Sequence, residues 1–134
     1  MILETDITVR FRDLDAMGHV NNAVFFTYFE EGRKRFFTDG RTKANDFNFI
    51  LARVECDYVS PVLLNHQPCL EMWVSDIGSK SFTFTYRLLE KTDPALIFAR
   101  GLSVQVCFDY DRQRTVPVSP ALERRLTDYL EPQR

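Results

Sequence analysis

The chain has 134 residues, 45% of them hydrophobic, and its 17 Lys and Arg against 19 Asp and Glu give a formal net charge of −2. This length suits one domain with a buried core, and the charge excludes a general electrostatic attraction to nucleic acid. Three widely spaced cysteines without a C-x-x-C pair argue against structural zinc and favour free thiols in a reducing compartment. We therefore predict a single cytoplasmic domain over residues 1–134, with no apolar run long enough to cross a membrane.

The first part of the chain predicts a strand, a polar turn and a long helix. Apolar residues alternate with polar ones over residues 7–11, which is typical of a strand with one buried face. A polar turn over residues 13–19 follows. Asn21 or Asn22 can then cap a helix that runs from about Ala23 to Thr38, because an Asn side chain accepts from the free N–H groups of a first turn.

Apolar residues cover more than half of the circumference of this predicted helix. Phe25, Phe29, Gly32 and Phe36 fall on one face, with further Phe residues beside them. A helix enclosed by a sheet needs such a broad apolar surface, and Gly32 would permit close approach of that sheet. Asp39-Gly40 predicts the end of the helix.

The remainder of the chain predicts four strands and a short helix. Alternation predicts strands at 50–58, 70–75, 81–88 and 96–108, with turns at Ile77–Lys80 and Asp93-Pro94. Ser119-Pro120 predicts the start of an amphipathic helix that carries Leu122, Leu126 and Leu130. Because strands and helices do not alternate regularly, we predict an α+β fold in which an antiparallel sheet wraps around one long central helix.

The turn before the long helix carries the residues best suited to chemistry. It places Asp13, Asp15 and Gly18 between a strand end and a helix start. The N-terminus of a helix presents free N–H groups and a partial positive charge, which can stabilise an oxyanion. A carboxylate beside it can attack a carbonyl or activate water. The alternative from these residues alone is that both aspartates only form turns.

The same segment resembles the hot-dog-fold acyl-CoA thioesterases, and in particular the 4-hydroxybenzoyl-CoA thioesterase-like group. The resemblance rests on Phe11-x-Asp13-x-Asp15-x-x-Gly18-His19-Val20-Asn21-Asn22, followed by Phe25-x-x-Tyr28-x-Glu30-x-x-Arg33. The motif covers about 25 residues, and the predicted order of strands and helices agrees with that fold. The resemblance implies hydrolysis of an acyl-CoA to a carboxylic acid and CoA, with no metal or redox cofactor.

The resemblance also implies roles for individual residues. Asp15 corresponds to the catalytic carboxylate of the family, acting as nucleophile or as general base. The first amides of the helix would hold the thioester oxygen, through the N–H of Asn21 or a neighbour. Gly18, His19 and Asn22 complete the substrate-positioning loop, in which His19 either braces the loop or acts as a base.

Two departures from the family pattern bear on the substrate. Some relatives carry Tyr-His where this chain has Asn21-Asn22, and an amide cannot shuttle a proton at neutral pH. The helix position usually filled by Tyr is Phe25. Both changes affect the identity of the acyl group more than the class of reaction.

Several other polar residues have an expected place. Relatives bring a hairpin near CoA, which implies contacts from Lys80 and Ser81, and the basic residues Arg112 and Arg114 are candidates for the phosphates. We expect an ion pair between Glu30 and Arg33, which lie three residues apart on the predicted helix. His66 is expected to be a solvated turn residue.

Other functions remain open on the sequence. They are an acyl-carrier-protein thioesterase, a dehydratase or hydratase, and a non-catalytic domain that binds acyl-CoA. A dehydratase needs an acid/base pair that usually includes His, whereas the two histidines here lie in separate turns. Since hot-dog relatives pair two sheets edge to edge and build each site from both subunits, we expect a homodimer or a tetramer.

Overall fold

The computed structural model describes residues 1–38 and 48–131. Its elements, in chain order, are β1 (Leu3–Asp6), a 3₁₀ turn (Phe11–Asp13), α1 (Val24–Thr38), β2 (Phe49–Tyr58), β3 (Pro68–Ile77), β4 (Ser81–Glu90), β5 (Asp93–Asp109), β6 (Arg114–Thr115) and α2 (Pro120–Thr127). The strands form one antiparallel sheet in the order β1-β3-β4-β5-β2, and the short β6 pairs with β5. Within the described ranges, neither helix has the length and apolar character needed to cross a membrane.

The long helix packs on one face of the sheet, as its apolar pattern predicted. Phe29 is fully buried and stacks on Tyr86 of β4, with ring centroids 4.3 Å apart. Phe36 lies edge-on to Phe84 of the same strand at 5.2 Å. At Gly32 an added Cβ would lie 2.6 Å from a methyl group of Leu70 in β3. The predicted α+β fold, with its antiparallel sheet around a central helix, is therefore confirmed.

Gly101 of β5 leaves room both for α1 and for the neighbouring strand β2. An added Cβ would lie 2.5 Å from the backbone oxygen of Glu55 and 2.6 Å from the ring of Phe29. Because neither neighbour can give way cheaply, we expect Gly101→Ala to lower the free energy of unfolding by about 1–3 kcal/mol. Urea unfolding measures this. Gly32→Ala is the control, since its clash is with the flexible end of Leu70 and alanine gains roughly 1 kcal/mol of helix propensity. Equal stability of both variants would contradict the expectation.

A chain of buried polar groups crosses the core between α1, β4 and β5. The Arg33 guanidinium donates to the Tyr86 hydroxyl at 3.0 Å, and that hydroxyl lies 2.6 Å from the Ser103 hydroxyl. Ser103 in turn contacts Gln105, whose amide donates to a backbone oxygen of β4 at 3.1 Å. The expected ion pair between Glu30 and Arg33 is wrong, because Glu30 is exposed while Arg33 points into the core.

In the second half of β5, the side that faces the core is not the side on which the apolar residues alternate. A register shift between β4 and β5 falls where Leu88 pairs with Ala99 and Leu89 pairs with Ile97. Beyond this shift the fully buried positions carry Ser103 and Gln105, whereas the alternating apolar residues are only half-buried.

Several predicted elements differ from the structure. The strand predicted at residues 7–11 is wrong, because the first strand is Leu3–Asp6 and its partner β3 begins at Pro68. Phe11 instead lies in the 3₁₀ turn with 81% of its surface exposed. The chain reverses at Lys91-Thr92 rather than at Asp93-Pro94: Asp93 already pairs with Glu90, and the Glu90 carboxylate accepts from the Thr92 amide at 3.0 Å. Leu130 lies beyond α2 and is exposed. The helix end predicted at Asp39-Gly40 lies outside the described residues.

The start of α2 and the state of the cysteines agree with the sequence. The Ser119 hydroxyl accepts from the Leu122 amide at 3.1 Å, and Pro120 is the first helical residue. Cys56, Cys69 and Cys107 are all free thiols. Burial raises the pKa of the Cys56 thiol to about 11.

Candidate active site

The loop before α1 is a tight, internally hydrogen-bonded turn. The Asp15 amide donates to the His19 oxygen at 2.8 Å, and the Gly18 amide donates back to the Asp15 oxygen at 3.1 Å. Gly18 adopts φ +80°, a left-handed conformation that favours glycine. His19 also forms a bridge to Leu63, so its main chain braces the loop against the segment that follows β2.

Asp15 has one carboxylate oxygen engaged and one available. Its Oδ1 accepts from the Met17 amide at 2.9 Å and from the His19 amide at 3.3 Å. Among the described residues nothing donates to its Oδ2. The side chain is half-buried and borders a pocket. Two backbone donors therefore fix the orientation of the carboxylate and leave one oxygen for chemistry.

Asp13 is engaged differently. Its Oδ2 accepts from the Arg10 amide at 3.0 Å and from the Tyr28 hydroxyl at 2.8 Å. Burial, and then the bond to the Asp13 carboxylate, raise the pKa of Tyr28, so that hydroxyl remains a proton donor. Asp13 thus ties the loop to the side of α1 and does not border the Asp15 pocket.

Asn21 is the residue that caps the start of α1. Its side-chain oxygen accepts from the Ala23 amide at 2.9 Å, and its backbone oxygen accepts from the Val24 amide at 2.9 Å. Its own N–H donates to the Asp13 oxygen at 2.8 Å. Of the donors expected for the thioester oxygen, Asn21 or a neighbour, the Asn21 amide is therefore already used within the loop. The neighbouring Asn22 N–H has no acceptor among the described residues.

These groups meet in a pocket of about 340 Å³. Its lining consists of the loop, the start of α1 and the end of β2: Asp15, His19, Val20, Asn22, Phe25, Tyr58, Val59, Ser60 and Pro61. The Phe25 and Tyr58 rings meet edge to face at 4.9 Å and form an aromatic wall. The Tyr58 hydroxyl donates to the Asn22 oxygen at 2.7 Å. The pocket therefore combines an ionisable end at Asp15 with an apolar side.

Sequence reasoning missed the part of this pocket that comes from residues 58–61. The sequence pattern predicts Tyr58 only as the last residue on the apolar side of an alternating strand. The one available signal was Pro61, which ends that strand close to a further polar turn. The contact between Tyr58 and Asn22 joins residues 36 positions apart, so no local pattern reveals it.

The four residues expected to contact CoA cluster together, but at the other end of the sheet. Lys80 and Ser81 lie at the β3–β4 hairpin, and the Lys80 ammonium donates to Thr115 of β6 at 3.5 Å. Arg112 and Arg114 lie at the exposed β5–β6 turn beside it. From Ala99, which pairs with Tyr58, to Val106, which pairs with Ser81, β5 extends about 23 Å at roughly 3.3 Å per residue.

His66 is not simply solvated. Its Nδ1 accepts from the Leu63 amide at 2.9 Å, and its ring lies 4.9 Å from that of Phe98. His66 thus shapes the segment that braces the Asp13–Asn22 loop. In the described part of the chain, no three His, Cys, Asp or Glu side chains converge in a group that could hold a metal ion.

Comparison with known proteins identifies the family. The model of the thioesterase-like superfamily matches residues 9–126. The chain belongs to this superfamily. The match includes the Asp13–Asn22 loop, α1 and the whole of β2 to β5. The assignment to hot-dog-type thioesterases, made from the motif, is thereby confirmed.

Two similar proteins that are named as thioesterases agree with this assignment. The long-chain acyl-CoA thioesterase FadM of Escherichia coli (strain K12) is 26% identical over 96% of this chain and 97% of its own length. A thioesterase of Thermus thermophilus, whose crystal structure contains coenzyme A and Zn, is 32% identical with a TM-score of 0.83, covering 94% of this chain and 92% of that one. The uncharacterised protein YsmA of Bacillus subtilis (strain 168) is 32% identical over 60% of this chain and 56% of its own length.

Proposed function

We propose that this protein hydrolyses an acyl-CoA thioester to a carboxylic acid and CoA. The observation that carries the proposal is the pocket itself, which is lined both by Asp15, with one carboxylate oxygen that accepts from no described residue, and by Asn22, whose N–H has no acceptor among the described residues. The names of FadM and of the Thermus thermophilus complex support an acyl-CoA substrate. The proposed reaction needs no metal or redox cofactor, because a carboxylate or a water attacks the thioester carbonyl with no change of oxidation state; CoA enters as part of the substrate.

The Asn22 amide is the donor for the thioester oxygen. It lies at the N-terminal end of α1, where the partial positive charge of the helix favours the developing oxyanion. Asp15 acts on the carbonyl carbon of the same group. Either its oxygen attacks, forming a mixed anhydride as CoA thiolate leaves and water then cleaves the anhydride, or it removes a proton from an attacking water. Asp13 does not take this role because it does not line the pocket; its carboxylate instead accepts from the Arg10 amide and the Tyr28 hydroxyl.

A homodimer would complete the site. β2 is an outer strand whose second edge has no partner among the described residues, and Leu51, at a core-facing position, is 45% exposed. Unpaired edges of this length tend to pair. A two-fold axis that joins two β2 strands antiparallel would set Tyr58 beside the start of the other β2. Arg112 of the partner subunit would then approach the Asp15 pocket and could bind CoA phosphates.

Release of free thiol from a panel of acyl-CoA thioesters tests the proposal. The panel contains short, medium, long and aromatic acyl groups, and matched acyl-carrier-protein thioesters are assayed beside it. We expect saturable hydrolysis of at least one acyl-CoA. Tight binding without thiol release would instead indicate a non-catalytic binding domain, and hydration of an enoyl-CoA would indicate a hydratase. Preference for the carrier-protein thioesters would overturn CoA as the physiological carrier.

Lys80→Ala tests the location of the CoA phosphates. Contacts with the nucleotide lie far from the reacting carbonyl, so the variant should raise KM by about three- to tenfold and leave kcat nearly unchanged. Lys34→Ala, which removes another exposed lysine from α1, should change neither constant. An unaltered KM in Lys80→Ala would show that this lysine is only a solvated turn residue.

A further inference from the structure

Tyr58 links the end of β2 to the start of α1. Its hydroxyl donates to the Asn22 oxygen at 2.7 Å, and its ring packs against Phe25 at 4.9 Å with an interplanar angle of 83°. The ring also borders the pocket that contains Asp15. Tyr58 therefore touches the residue whose amide is free while remaining outside the Asp13–Asn22 loop.

The position of the Asn22 amide is fixed from two sides. On the preceding side, Asn21 is held by its amide bond to Asp13 and by the Val24 amide on its oxygen. On the following side, Asn22 is held at its carbonyl by the Tyr58 hydroxyl. Asn22 is itself exposed, so packing contributes little to its orientation. The Asn22 N–H shares a rigid peptide plane with the Asn21 carbonyl, and the bond from Tyr58 holds the next plane along the chain. Without the bond from Tyr58, this turn would lose its hydrogen bond to β2.

We propose that Tyr58 is a positioning residue for the reaction: by joining the Asn22 carbonyl to the end of β2, its hydroxyl holds the turn at the start of α1, and with it the Asn22 N–H, in place beside the pocket. This inference rests on the proposed function. It deepens that function by assigning a role to a residue on a different element. An amide that is already aligned costs no reorganisation when the oxyanion forms, which is the basis of electrostatic catalysis.

The end of β2, which carries Tyr58, is held firmly by the neighbouring strand. The amides of Val59 and Ser60 both donate to the Phe98 oxygen, at 2.9 and 3.2 Å, and Tyr58 itself pairs with Ala99. The end of β2 is thus tied to β5 directly beside the pocket. Burial, and then the neighbouring Cys56, raise the pKa of Tyr58, so the hydroxyl stays protonated and able to donate.

Tyr58→Phe tests the proposal because it removes the hydroxyl and keeps the ring against Phe25. We expect kcat to fall by about three- to tenfold, the range that corresponds to one neutral hydrogen bond, with KM changed by less than about twofold. Hydrogen exchange of the backbone amides in residues 22–25 should become faster. Tyr129→Phe is the matched control, since it removes a tyrosine hydroxyl near α2, and it should alter neither readout.

Three results would overturn the proposal. They are an unchanged kcat in Tyr58→Phe, unchanged hydrogen exchange at residues 22–25, and a rise in KM at constant kcat, which would mean that Tyr58 contacts the substrate instead. The exchange measurement does not depend on turnover. If the wild-type protein hydrolysed no thioester, the proposed function would fail, while faster exchange in Tyr58→Phe would still establish the link between Tyr58 and Asn22.

Discussion

Replacing Asp15 by Asn is expected to lower kcat for acyl-CoA hydrolysis by at least about 10²- to 10⁴-fold, the usual contribution of a general acid or base. The amide preserves the shape of the side chain and can keep accepting from the Met17 and His19 amides, so the loop should remain folded. What it loses is the negative charge and the nucleophilic oxygen that borders the pocket. KM should change little, because the expected CoA contacts lie elsewhere. Steady-state kinetics on the folded variant, checked by circular dichroism, measure the effect.

Asp13→Asn is the matched comparison, since it makes the same chemical change two residues earlier. An amide oxygen at this position can still accept from the Arg10 amide and the Tyr28 hydroxyl. We therefore expect a milder loss, on the order of tenfold or less, that reflects a less firmly held loop. Near-normal turnover in Asp15→Asn together with inactivity in Asp13→Asn would reverse the assignment of the catalytic carboxylate.

The second large effect is expected at the edge of β2. If two copies pair through this strand and share their active sites, Leu51→Glu would place a charge inside the interface, where an unpaired charge is costly. We expect light scattering to show a shift from dimer to monomer, and activity per chain to fall by more than about tenfold at dilute concentration. Leu51 is the choice because it is 45% exposed although it occupies a core-facing position.

Leu64→Glu serves as the control for this experiment. Leu64 is similarly exposed, at 47%, but lies in the turn between β2 and β3 rather than on the strand edge. The variant should remain dimeric and active. A wild-type protein that is a stable and fully active monomer would contradict the shared-site proposal, whatever the two variants do.

The predictable part of the fold is the part set by local periodicity. The phenylalanine spacing located α1 to within one residue of its observed start at Val24, because only a helix places Phe25, Phe29 and Phe36 on one face. Four alternating runs located β2 to β5 for the same reason. The position of β1 was not predictable in this way. Residues 7–11 alternate, but the partner strand starts at Pro68, whose oxygen accepts from the Ile7 amide at 3.0 Å, and Phe11 lies beyond it in the 3₁₀ turn.

In the candidate site, too, the residues close together in sequence were predictable and the contacts between distant segments were not. The loop, Asp15 and the cap at Asn21 are encoded within ten residues, so the motif sufficed to find them. The oxyanion donor could not be assigned from the motif, because the assignment depends on the direction of the Asn21 N–H. A reversal of the chain places that N–H 2.8 Å from the Asp13 oxygen. The place of Tyr58 in the pocket depends on the packing of β2 beside α1. Such contacts between distant segments leave no periodic trace in a sequence.

The most direct test of the central claim is a crystal structure of the Asp15→Asn variant with a bound acyl-CoA that it cannot turn over. We expect the thioester oxygen within hydrogen-bond distance of the Asn22 amide, and the thioester carbonyl carbon next to the substituted side chain. The acyl group should lie along the wall formed by Phe25 and Tyr58. A thioester bound outside this pocket, or one whose oxygen is held by another group while the Asn22 amide stays free, would contradict the mechanism.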